Sequence, residues 1–169
     1  AAIQCGGPSP AKPLRRAKQR VFVMGFDGMD PTLTNRWMAE GKLPNLKKLS
    51  EEGVYRTLGS SMPSESPTAW SSFATGVNPG KHNIYDFLIR SFETYLPDFN
   101  MIRKEPGKFL WGLIPTKAPK VISTRGGTSF CKHAGADGIR SVILTVPVTF
   151  PAEHIDHGEM LSGLPLPDI

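Results

Sequence analysis

The chain has 169 residues, 39% of them hydrophobic and 21% charged, which suits one globular domain and excludes a disordered or fibrous class. Lys and Arg number 20 against 15 Asp and Glu, for a net charge of +5, but much of the excess lies in Lys12, Arg15, Arg16, Lys18 and Arg20, so no basic stripe for nucleic acid is evident on an ordered face. Two cysteines, Cys5 and Cys131, exclude a disulfide scaffold and a Cys-based zinc finger, and no apolar run approaches the ~20 residues of a transmembrane helix.

Residues 1–19 carry Gly, Pro and basic residues without periodicity and read as a disordered basic tail, with an ordered domain over 20–169. The opening residues could derive from a processed leader, but Gln4 before Cys5 fits a lipid-attachment site poorly. Residues 21–26 are apolar β-formers that stop at Asp27-Gly28, the pattern of a buried central strand in an α/β sheet. Asp30-Pro31 opens a helix through Leu33, Trp37 and Met38. A second helix runs through Leu46, Leu49 and Glu52 to Gly53, and residues 54–58 read as a strand.

Ser66-Pro67 repeats the cap-then-proline signal, with Ala69, Trp70, Phe73 and Ala74 on the expected buried side and Gly76 as the stop. Residues 79–119 show no clear period, apart from a short helix expected over 109–113. Strands are expected over 120–123 and 141–146, with a helix over 130–138 between them. The last twenty residues read as loop, so the chain resembles one cut just after a strong strand. The alternation of strands and helices predicts a parallel sheet.

Four segments bear on chemistry. Asp27, at the C-terminal end of the first expected strand and followed by Gly28, is placed either to hold a divalent cation or simply to cap a turn; Asp30 reads as a helix cap. Ser66 places a hydroxyl at a helix N-terminus, where free N–H groups and positive partial charge attract phosphate. A serine there can attack phosphorus, or can serve only as the cap. Gly76 to His82 imitates a P-loop but is one residue short between its glycines and follows a helix, so it reads as a turn. His154-Ile155-Asp156-His157-Gly158 has metal-ligand letters in a Pro-flanked loop and reads as surface. No GxGxxG and no GxSxG elbow occurs.

GFDGMDP, SESPTAWSSFATG and NPGKHNIYDF, in that order, resemble the type I phosphodiesterase/nucleotide pyrophosphatase family of the alkaline phosphatase superfamily. Residues 20–90 carry most of the resemblance. Val146 to Pro151 and Gly158 to Gly163 are similar to its continuation in bacterial members. The resemblance implies an alkaline-phosphatase-like α/β fold, with a mostly parallel sheet flanked by helices, of which this chain is the N-terminal portion. It implies hydrolysis of a small phosphate ester with two divalent metal ions, Zn2+ in the family, and a phosphoseryl intermediate. Asp27 falls on the first metal ligand, and Ser66 on the nucleophile that also binds metal, with Thr68 as the fallback. The remaining ligands would lie outside this chain, leaving it inactive alone.

His82 reads as structural in this pattern. Phe87 stands where the nucleotide pyrophosphatases carry an Asn on the phosphate, which puts nucleotide specificity in doubt. The rival readings are a non-catalytic or degenerate fragment that binds another chain, and a phosphonate hydrolase or phosphomonoesterase of the same superfamily. Oligomeric state has no sequence signal.

Overall fold

A computed structural model of the chain describes residues 11–16, 18–110 and 114–165. The chain divides into two compact units, one of Phe22–Ser60 and one of Ala1–Val21 with Ser61–Ile169.

The smaller unit is built on two helices. Helix α1 (Pro31–Ala39) starts as its sequence dictates: Asp30 is the N-cap, its carboxylate accepts the Leu33 amide at 2.7 Å, and Pro31 follows. Helix α2 (Pro44–Glu52) begins on Pro44 and ends at Gly53, and it packs on α1. The expected flanking strands do not form. Residues 21–26 and 54–58 have no regular secondary structure, with Phe22 83% and Leu58 96% exposed. A β-former run becomes a strand only when a neighbour satisfies its backbone, and no described strand does so here.

In the larger unit, α3 (Ser66–Thr75) ends at Gly76, whose φ of 67° is the left-handed turn that favours glycine. Glu65 is its N-cap and Ser66 its first residue, one position earlier than the cap-then-proline signal predicts. Its buried face is Pro67, Thr68, Ser71 and Ala74. Phe73, expected inside, is half-exposed and packs edge-on to Trp70 and Phe130, with ring centroids 5.9 and 5.5 Å apart. The turn after α3 contains a four-residue helix, α4 (Pro79–His82).

The stretch without a clear period folds into short antiparallel pairs. Strands β1 (Leu88–Arg90) and β2 (Pro97–Phe99) form a hairpin. Strand β3 (Ile102–Glu105) pairs with β6 (Lys120–Ser123), and between them β4 (Lys108–Leu110) pairs with β5 (Ile114–Lys117). The helix expected over 109–113 is therefore strand at 109–110, and 111–113 lie outside the described residues.

Helix α5 (Phe130–Ala136) leads to β7 (Ser141–Val146), both close to expectation. The closing segment contains a strand rather than only loop: β8 (Gly158–Ser162) runs parallel to β7. This is the one parallel pair among the described residues. The fold is thus mixed helices and small sheets, compatible with α/β, without an extended parallel sheet among the described residues. Two small apolar clusters form the core: Ile84, Met101 and Val148 with Trp70 and Ile102, and Cys131, Ile143 and Ile155 with Val146 and Met160.

Residues 11–16, in the segment whose composition suggests a disordered tail, have no regular secondary structure. Even so, the Lys12 and Arg15 amides donate to Ala136 and Gly138 carbonyls at 3.0 and 2.7 Å. No described helix is long and apolar enough to cross a membrane.

Candidate functional site

The first candidate residue, Asp27, is exposed in the smaller unit, in a turn where Gly28 takes φ 65°. The second, Ser66, opens α3 in the larger unit and is half-buried. Proline at the second helical position supplies no N–H, and Glu65 makes no side-chain capping bond. Pro67 thus removes one donor from this end, and the other first-turn amides, with the Ser66 hydroxyl beside them, are not capped by the Glu65 side chain.

Thr68 lies two residues further along α3 and is fully buried. Its Oγ1, like Ser71 Oγ on the same face, has no hydrogen-bond partner among the described residues. A hydroxyl sealed in the interior is out of reach of a phosphate ester, whereas Ser66 is partly accessible.

His82 is fully buried and holds α4 against α3. Its Nδ1 accepts the Ile84 amide at 3.1 Å, so in the neutral ring Nε2 carries the proton and donates to Ser72 Oγ at 2.9 Å. Burial, and next the Arg125 charge, hold its pKa below the usual histidine value. Both ring nitrogens are used within the fold, the arrangement of a structural histidine.

A second polar node had no sequence signal. The Arg125 guanidinium is almost wholly buried, donates to Val148 O at 2.9 Å and pairs with Glu153, whose carboxylate also accepts from Ser129 Oγ at 2.7 Å. Burial and then Glu153 push the Cys131 thiol pKa up, against a smaller opposing pull from Arg125. Cys131 is a free thiol, and Cys5 lies outside the described residues.

The His154 to Gly158 cluster does not assemble a metal site. His154 and Asp156 are 3.6 Å apart, while His157 turns to the Lys12 carbonyl at 2.9 Å. Among the described residues, no three ligating side chains gather around one point. Asp27 and Ser66 lie in different compact units.

The sequence model of the family described as Type I phosphodiesterase / nucleotide pyrophosphatase matches residues 21–162. No curated protein and no solved structure matches the chain.

Proposed function

The chain belongs to the type I phosphodiesterase/nucleotide pyrophosphatase family, and on that premise we propose that the intact protein hydrolyses a small phosphate ester with Ser66 as nucleophile. The observation that carries this reading is the place of Ser66 within the matched segment: first residue of α3, partly accessible, on a helix end suited to phosphate. Ser66 Oγ forms a bond to phosphorus as the ester P–O bond breaks and the alcohol leaves. Water then cleaves the phosphoserine, restoring the hydroxyl and releasing the phosphate product. The N-terminal amides of α3 stabilise the phosphoryl oxygens as their charge develops.

Asp27 and Ser66 would each offer an oxygen ligand to a metal centre, with the other ligands coming from outside this chain. A pair of divalent cations, zinc in this reading, would lower the hydroxyl pKa and offset the charge of the phosphoryl group. The same reading carries an alkaline-phosphatase-like, mostly parallel sheet, in which residues 21–26 gain strand neighbours.

The test is hydrolysis of an aryl phosphodiester by the intact protein with zinc. Ser66→Ala should abolish turnover and trapping of a phosphoserine, while Thr68→Ala should retain both in the fraction that folds. Trapping of a phosphothreonine in Ser66→Ala, with its loss in Thr68→Ala, would overturn the assignment. The 169-residue chain alone should show little turnover; full activity from it would refute the claim that ligands come from elsewhere.

A further inference from the structure

Residues 12–15 make a set of contacts that the phosphate-ester reading does not use. The Lys12 amide donates to Ala136 O at 3.0 Å and the Arg15 amide to Gly138 O at 2.7 Å, so the segment is fixed through its backbone at two points. The Lys12 ammonium lies 2.7 Å from the Asp137 carboxylate, on the residue between those two carbonyls. The Lys12 carbonyl is itself bound by His157 Nε2 at 2.9 Å; because a carbonyl only accepts, the ring nitrogen carries the proton. His157 takes φ 56°, a left-handed conformation uncommon for a residue with a side chain.

Close approach completes the fit. Gly138, at φ 77°, lets Pro13 lie directly against it, and a side-chain carbon there would run into the Pro13 carbonyl. The chain therefore meets a surface with two carbonyl acceptors, one carboxylate, one ring N–H and a flat glycine. Leu14, Arg140, His154, Ile155 and His157 line an adjoining open cleft of about 470 Å3.

We propose that the corner between α5 and β7 is a docking groove for an extended basic segment, filled in cis by residues 12–15, which form a strap along one wall of the cleft. Backbone donors and a lysine are what this groove recognises. The occupant is the chain's own arm because that is the segment seated there.

Amide hydrogen exchange on the full chain tests this. The Lys12 and Arg15 amides should exchange at least roughly tenfold more slowly than in an unstructured peptide of the same sequence. Lys12→Glu sets like charge against Asp137 and should remove most of that protection while the β7 amides keep theirs. Adding Asp137→Lys to Lys12→Glu should restore it. Gly138→Ala should release the strap by collision, and Lys12→Glu decides the matter if Gly138→Ala disturbs the fold. Peptide-like exchange at Lys12 and Arg15, or protection unchanged in Lys12→Glu, overturns the proposal. Protection that rises with protein concentration means that a second copy's arm fills the groove, and overturns docking in cis.

Discussion

Ser72 Oγ and His82 Nε2 lie 2.9 Å apart, and the opposite ring nitrogen of His82 is already taken by the Ile84 amide, so one buried imidazole joins α4 to α3 through Nε2 and fixes the chain just after α4 through Nδ1. Truncating that ring leaves a buried amide and a partly buried hydroxyl without this partner. Each orphaned group costs about 1–3 kcal/mol, and a cavity adds to it. His82→Ala should lower the urea unfolding midpoint by the equivalent of roughly 2–4 kcal/mol, measured at pH 7.5. A loss under about 1 kcal/mol would mean that water or a neighbour replaces the ring.

The same histidine sets a pH dependence. Its folded pKa is depressed, chiefly by burial, below the unfolded value of about 6.5. Above that value the ring is neutral in both states and its contribution is fully present. As pH falls below it, the unfolded chain takes up a proton that the folded chain resists, so stability is lost progressively toward the lower folded pKa. Urea midpoints compared at pH 7.5 and 5.5 should fall for the native chain and fall less for His82→Gln, which cannot titrate there. Equal slopes for the two proteins would assign the acid loss to other groups.

Arg125 and Glu153 form the one ion pair among the described residues in which a guanidinium is almost wholly buried. Removing one partner strands the other charge, at a cost of about 3–5 kcal/mol when both are desolvated. Glu153 keeps some solvent contact, so Glu153→Gln should cost roughly 2–3 kcal/mol, read from chemical denaturation. The same change removes one of the influences that raise the Cys131 pKa while leaving the opposing pull of Arg125. Cys131 in Glu153→Gln should therefore react faster with a thiol reagent under native conditions, and an unchanged rate would show that burial alone governs that thiol.

Local rules were legible where the deciding atoms are neighbours in sequence. Asp30 with Pro31, and Gly76 after α3, marked helix ends because caps and turns are satisfied within a few residues. Features that depend on distant partners were not. Residues 21–26 and 54–58 have strand composition but no described partner strand, and β8 has a mixed sequence yet forms because β7 lies beside it. The Arg125–Glu153 pair joins residues 28 positions apart with no motif to announce it. Of the site, the helix start at Ser66 could be read directly, whereas its proposed role came from the resemblance of the surrounding segments to a family.

The contrast between Ser66 and Thr68 can be measured without any substrate. Thr68 Oγ1 is buried with no partner among the described residues, so its hydroxyl carries a desolvation cost that no bond returns. Thr68→Val keeps the shape and removes the polar atom, and should be neutral or stabilising by up to about 1 kcal/mol. A loss of roughly 2 kcal/mol instead would reveal a bound water or another hidden acceptor at that hydroxyl. Under the proposed nucleophile role, Ser66→Ala should instead abolish turnover in the intact protein.

The outer face of the parallel pair offers a further test. Ile143 points into the core, while Val142 and Leu144 on β7 and Leu161 on β8 stand exposed, Leu144 directly opposite Leu161 in register. Parallel strands are ordinarily covered on both faces, because the crossover connections that join them bring helices over the sheet. Eleven residues, 147–157, join β7 to β8 without a helix, and they do not cover these three side chains. The 169-residue chain should therefore bind a fluorescent apolar dye at this face. Val142→Thr with Leu144→Thr should lower that signal measurably, residues 21–26 and 54–58 keeping their own share, and leave the unfolding midpoint within about 0.5 kcal/mol, since exposed positions contribute little to stability. Dye binding unchanged by the pair would place the accessible apolar surface elsewhere, and a large loss of stability would show that this face is packed in solution.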